Sequence, residues 1–257
     1  MQSLLCDLPS VLTVSLIFLM VIVWLSKTVE IVTGFGGTVI SIALGALLYP
    51  MEVIVPAMVS INLVTTLYLV LRHGGYIDWK TLVTRIIPLM GLGLPVGMAL
   101  FNLGPGNALK IGLGGIVIFI VVFETAWFLK LHGNDSSRKP LNAWQSFICL
   151  FSGGIIHGIY ASGGPLAVYY ATRQFNDKKV FRSTLSMLWL IFTIILIGNY
   201  LYTGQITFET LSISFMMLPA LILGIIIGEF IHNRINEKAF RLFVYMLLLI
   251  AGIFLVL

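Results

Sequence analysis

Two short glycine-rich stretches, Gly34-Phe35-Gly36-Gly37 and Ser162-Gly163-Gly164-Pro165, interrupt long apolar runs, and Gly163-Gly164 repeats Gly36-Gly37 at an offset of 127. A helix that starts at such a break presents backbone N–H groups without intrahelical acceptors, together with the positive end of its dipole. Pro165 suits a first helical turn, where its missing N–H removes only a group that would lack a partner anyway. Thr38 and Ser162 can add hydroxyl donors. Two such starts converging from different parts of the chain would hold a small oxyanion without any buried Lys or Arg. Gly34, Phe35, Gly36, Gly37, Thr38, Ser162, Gly163, Gly164 and Pro165 are therefore candidate substrate-binding residues. The plainer alternative is a helix–helix turn in which glycine only permits tight packing.

Few ionisable residues fall inside the apolar runs, and each is costly there, by about 2.5–3.5 kcal/mol or more. Glu30 precedes Gly34 by four residues and His157 precedes Ser162 by five; the two are again 127 apart. An acid and an imidazole in matching places could carry a coupling proton, because histidine titrates near neutrality. Alternatively, His157 is a neutral packing residue and Glu30 an ion-pair partner of Lys27, one turn away. Lys27 either faces the site and attracts an anion or snorkels to an interface. Asn62 and Asn199 sit among apolar neighbours, where they either line a pathway or hydrogen-bond between helices; Asn62 joins the candidate binding residues. Cys6 and Cys149 offer no disulfide framework or metal spacing. HExxH, Gly-x-Ser-x-Gly, Walker-type and dinucleotide-binding patterns do not occur, so the sequence points to no catalytic residues, metal or cofactor.

These residues must be positioned by membrane helices. The 257 residues are 59% hydrophobic and 10% charged, too few polar groups to cover a water-facing surface, so lipid must cover much of it. Breakers divide the apolar runs into ten elements: 9–33, 38–49, 53–71, 82–101 and 108–131, then 142–161, 166–175, 180–202, 208–230 and 239–257. The polar segment 132–141 between the two sets is a linker, and the whole chain, 1–257, reads as one transmembrane domain. The run Val11–Leu25 lacks a basic stretch before it and is expected to be the first membrane helix rather than a signal peptide. Elements 38–49 and 166–175 are too short for a bilayer core of about 30 Å. Their glycine-rich ends are therefore expected within the membrane, where irregular backbone survives only if buried in protein or lining a wet cavity.

The second set repeats the first. Beyond the glycine pairs, Pro88, Gly93, Gly97, Ala108 and Lys110 match Pro219, Gly224, Gly228, Ala239 and Arg241, all at an offset of 131. Repeat 1 covers about 9–131 and repeat 2 about 142–257. All Lys and Arg except Lys27 and Lys110 fall in four strips, at 72–85, 130–139, 173–182 and 234–241. Placing the strips in the cytoplasm leaves the bare loops, and both termini, outside. It also makes the two halves inverted relative to each other, as in secondary transporters. The expected fold is an all-α polytopic membrane protein of two inverted-topology repeats of about five elements each, with broken or re-entrant helices at the glycine motifs.

With Gly34-Phe35-Gly36-Gly37 after the first helix and Ala161-Ser162-Gly163-Gly164-Pro165 opening the second half, the chain resembles the TauE/SafE (TSUP) family of sulfite and sulfonate exporters over essentially its whole length. The resemblance implies export of a small sulfur-containing oxyanion such as sulfite or sulfoacetate across a bacterial inner membrane, driven by an ion gradient. The expected partners are that anion, the lipid bilayer and a coupling proton or other ion, without nucleic acid, for a monomer or homodimer. The alternatives are an anion channel of the same fold and a transporter of a different small organic anion; a membrane enzyme built on His157 and Glu30 lacks any catalytic motif.

Overall fold

Apolar helices separated by Gly, Pro and capping residues account for the architecture. The computed structural model describes residues 2–34, 36–130, 140–162, 164–175, 177–232, 249 and 252–257, and among these there are helices and no strands. The helices are α1 (Gln2–Thr33), α2 (Gly37–Gly45), α3 (Met51–His73), α4 (Trp79–Thr81), α5 (Ile87–Leu103), α6 (Gly106–Lys130), α7 (Ala143–Tyr160), α8 (Gly164–Gln174), α9 (Lys178–Tyr202), α10 (Phe208–Met216) and α11 (Leu218–His232). Five described stretches are long and apolar enough to cross a membrane: Val14–Val32, Met51–Tyr76, Trp79–Leu103, Lys179–Tyr202 and Phe208–Ile231. The described apolar part of α6, Gly106–Phe119, is shorter.

Boundaries follow local chemistry. The Asn142 side chain accepts from the Gln145 N–H and the Gln145 side chain accepts from the Asn142 N–H, a capping box that starts α7. Thr207 and Thr210 start α10 in the same reciprocal way. Asp78 caps α4 by accepting from the Thr81 N–H at 3.0 Å and from its hydroxyl at 2.8 Å. The expected element at 82–101 is longer at both ends and contains a π turn at Leu82–Ile86. The expected element at 208–230 is divided at Met217 into α10 and α11. Residues 131–139 of the linker region and most of 239–257 lie outside the described residues.

Polarity is inside out. Large apolar side chains such as Phe18, Leu92, Leu100, Ile194, Ile226 and Phe230 are exposed, as lipid-facing residues are. Ser26, Lys27, Glu30, Thr38, Ser41, Asn62, Thr65, Thr66, His157, Ser183, Thr184 and Thr193 are buried. A bilayer does not drive helices together through the hydrophobic effect, so close packing and interhelical hydrogen bonds must do so.

The closest packing is reciprocal. The most extensive helix contacts are α5 with α7, α1 with α11, and α3 with α9. On α5, Gly93 and Gly97 lie against the Phe151 and Ile155 carbonyls of α7. On α11, Gly224 and Gly228 lie against the Trp24 and Thr28 carbonyls of α1. The glycines differ by 131 in each pair, and their partners by 127. A side chain at any of the four would meet main-chain atoms, so the glycines set how closely these helices approach.

Candidate functional site

The two breaks share a backbone device. Gly34 terminates α1 with φ 84°, and its N–H donates to the Glu30 carbonyl at 2.7 Å. Ala161 terminates α7 with φ 50°, and its N–H donates to the His157 carbonyl at 2.7 Å. Both are left-handed helix caps, and they stand at the same offset of 127 as the glycine pairs. Glycine adopts that conformation freely, whereas alanine carries a cost of about 1–2 kcal/mol. Gly36 is also left-handed, φ 90°, and immediately precedes α2. Phe35 and Gly163 lie outside the described residues.

After the breaks come the two short helices. α2 has nine residues and α8 eleven, so α2 rises only roughly 14 Å at ~1.5 Å per residue. Gly37 opens α2 and Gly164 opens α8, with Pro165 in the first turn, as expected from the sequence. Residues 37–43 are all buried, so this short helix is enclosed by protein.

Around the first break the buried polar groups form one network. Lys27 is fully buried, and its Nζ donates to Glu30 Oε2 at 2.7 Å and to Asn62 Oδ1 at 3.1 Å. Thr38 Oγ1 donates to the same Asn62 oxygen at 2.9 Å, and Asn62 Nδ2 donates to Thr193 Oγ1 at 3.2 Å. The network thus joins α1, α2, α3 and α9. Snorkelling of Lys27, one of its two expected fates, is ruled out by this burial. Its ion pair with Glu30 is present instead. At the C-terminal end of α1, Arg182 Nη2 donates to the Ile31 carbonyl at 2.7 Å, and its side chain lies beside Gly34.

The second break has a different backing. The His157 ring stacks on Trp189, with centroids 5.3 Å apart and planes 22° apart, and is tilted against Phe192 at 5.6 Å. Ser162 is 3% exposed, and its Oγ has no hydrogen-bond partner among the described residues.

A cavity lies between the two. Glu30, Gly36, Thr38, Val39, Asn62, His157, Ala161, Ser162 and Trp189 line it, and it holds about 320 Å³ of space, counting the part that opens outward. Glu30, Gly36, Thr38, Asn62, His157 and Ser162 are thereby brought to one place. Gly34 and Gly37 are not among the lining residues: Gly34 caps α1, and Gly37 lets α2 close onto α1, where an added Cβ would meet Glu30 Oε2 at 2.6 Å. Sequence reasoning named Ala161 only as part of the second motif and did not single out Val39, Trp189 or Thr193. Thr193 was findable, because it follows Asn62 at an offset of 131, that of the later repeat matches. Trp189 lies well inside the expected element 180–202, and nothing in the sequence marked it as facing a cavity. Among the described residues no cluster of His, Cys, Asp and Glu could hold a metal ion.

Comparison with known proteins gives the family. The family model for "Sulfite exporter TauE/SafE" matches residues 18–255. The chain is also similar to the probable inner membrane transporter protein TsaS of Comamonas testosteroni, at 23% identity over 189 residues, covering 70% of this chain and 75% of that protein. No solved structure matches it. With nearly its whole length matched, the chain belongs to the sulfite exporter TauE/SafE family and is a polytopic membrane transporter, not an enzyme.

Proposed function

We propose that the protein is a secondary transporter that exports a small sulfur-containing oxyanion, such as sulfite or sulfoacetate, across the cytoplasmic membrane by alternating access coupled to protons. One observation carries the reading. The cavity between the two helical breaks is lined by the Ser162 hydroxyl and the Asn62 amide, which keep a donor to offer, and by Thr38, whose hydroxyl donates to Asn62, with Glu30 and His157 in the same wall. Gly36, Thr38, Asn62 and Ser162, which line the cavity, are the proposed substrate-binding residues, held in place by the rest of the two motifs, and Glu30 and His157 are the proposed proton carriers. Ser162 Oγ supports the assignment, because a buried hydroxyl without a described partner is suited to an anion. Placement in the inner membrane is suggested by the name of the Comamonas relative.

The reciprocal packing supports inverted repeats as the basis of alternating access. Two halves related by a two-fold axis can exchange conformations, closing the site on one side as it opens on the other. Asn62 and Thr193, which bond to each other across an offset of 131, would then lie on or near that axis.

Flux into proteoliposomes tests the proposal. Sulfite or sulfoacetate uptake is expected to saturate and to respond to an imposed pH gradient. Gly37→Leu is expected to abolish it, because the first turn of α2 could no longer seat against Glu30; Gly164→Leu, at the start of α8, is expected to do the same. Conductive, non-saturating flux indifferent to pH would make the protein an anion channel instead. Full activity in both variants would remove the site.

A further inference from the structure

The proposed anion site already contains an anion belonging to the protein. The Glu30 carboxylate lies against Gly37 at the start of α2, close enough that a Cβ there would meet Oε2 at 2.6 Å. The same oxygen accepts from the fully buried Lys27 ammonium at 2.7 Å. A negative group is thus held between a buried cation and the positive end of a nine-residue helix. Glu30 also lines the cavity, whereas Lys27 stands behind it, bonded to the two lining residues Glu30 and Asn62.

Resting on the transport reading above, we propose that the Glu30 carboxylate is a displaceable internal substitute for the substrate, and that Lys27 is the cation on which carboxylate and substrate anion alternate. The physical reason is charge balance. Removing one partner of a buried ion pair leaves an uncompensated charge and is strongly unfavourable. With Glu30 ionised, Lys27 is satisfied and a second anion would meet the carboxylate's repulsion. With Glu30 protonated, Lys27 lacks a counter-ion and the substrate anion supplies one. Each anion that binds therefore brings one proton onto Glu30, so anion and proton move in the same direction and export is driven by the outward gradient of the anion. Asn62 keeps the ammonium oriented in both states, because its Oδ1 accepts from Lys27 while its Nδ2 is fixed by Thr193.

The other groups around Glu30 leave it as the proton carrier. α2 contributes Thr38, α3 contributes Asn62, and α9 contributes Trp189 and Thr193, none of which titrates near neutrality. α11 meets Lys27 through Gly224, and its Glu229 is instead near Tyr68 and His73. Arg182 of α9 is at the C-terminal end of α1, beside Gly34. His157 of α7 is the other titratable group in the cavity wall, and Glu30→Gln separates the two.

Thiosulfate and sulfoacetate are suitable probes, because their charge is constant from pH 5.5 to about 8 whereas sulfite itself titrates. Binding to the purified full-length protein is measured by calorimetry in buffers of different protonation enthalpy. About one proton is expected to be taken up per anion bound, with affinity rising about tenfold per unit fall in pH wherever Glu30 is ionised in the empty protein. Glu30→Gln is expected to bind with the low-pH affinity at every pH and without proton uptake. Binding without proton uptake in the unsubstituted protein overturns the inference and leaves anion transport standing. So does proton uptake that persists in Glu30→Gln, which would put the proton on His157 instead. The unsubstituted measurement decides the matter even if Glu30→Gln does not fold. Failure of sulfite, thiosulfate and sulfoacetate to bind at any pH would remove the transport reading as well.

Discussion

The two breaks have the same backbone and opposite chemistry behind it. Each ends its long helix in a left-handed residue, Gly34 or Ala161, whose N–H returns to the carbonyl of Glu30 or His157. Behind the first stands an ion pair, Lys27 with Glu30. The matching positions of the second half hold Gly154, packed against the Met90 carbonyl of α5, and His157, set against two aromatic rings. The shared backbone serves helix packing and the placement of two short helices, requirements that apply to both halves. A single anion needs only one cation, and a second buried charge would lower stability. Two similar halves can thus present one charged wall and one aromatic wall to the same cavity.

The sharpest way to break this comparison is to remove the charge. Lys27→Met leaves Glu30 buried without its cation and is expected to destabilise the protein by about 3–5 kcal/mol, read as a lowered melting temperature in detergent. The companion change at the second break, His157→Phe, keeps an aromatic ring against Trp189 and Phe192, leaves no buried charge uncompensated, and is expected to cost less than Lys27→Met. Equal losses in the two variants would show that the second break also depends on a charged or hydrogen-bonded partner.

The backbone half of the comparison is tested by exchanging the caps. Gly34→Ala forces φ 84° on alanine, with Arg182 Cγ at 3.3 Å from the new Cβ, and is expected to cost about 1–2 kcal/mol. Ala161→Gly relieves a strained residue, offset in part by the greater freedom of glycine in the unfolded chain, and is expected to change stability by less than about 1 kcal/mol. A large loss on Ala161→Gly would mean that its methyl, which lines the cavity, contributes more through packing than its backbone costs.

A comparably small effect lies outside both breaks. Hydrogen bonds from Thr81, first its N–H, hold the Asp78 carboxyl below the usual carboxylate range. A depressed native value means that this stabilisation is present above the ordinary aspartate range and is lost as pH falls through the native value. Asp78→Ala is expected to cost about 1 kcal/mol at neutral pH and less in acid. A melting temperature that responds to acid equally in both proteins would exclude Asp78 as a source of acid sensitivity.

Much of this was legible in the chain. The glycine stretches marked the ends of α1 and α7, although only α1 is capped by a glycine and α7 ends in a left-handed Ala161, and the long apolar runs gave the spans. The offsets 127 and 131 paired the halves, and they also join Asn62 to Thr193, a contact that was not drawn from them. Lys27 was left undecided between cavity and interface, since a lysine inside an apolar run satisfies both descriptions. Trp189 was passed over because an aromatic residue in a membrane helix has many uses.

The amino-acid sequence by itself determined where the long apolar runs lie, that two glycine-rich stretches interrupt them, and at which offsets residue types recur. These follow from local properties: apolar length, glycine's freedom at positive φ, and the periodic recurrence of residue types. Only the tertiary structure decided that Lys27 turns inward to Glu30 and Asn62, that His157 stacks on Trp189, and that both lie around one cavity. Such choices depend on what α3, α9 and α11 place opposite α1 and α7. A buried charge is held by partners far along the chain, as Lys27 is by Asn62, as well as by its own helix.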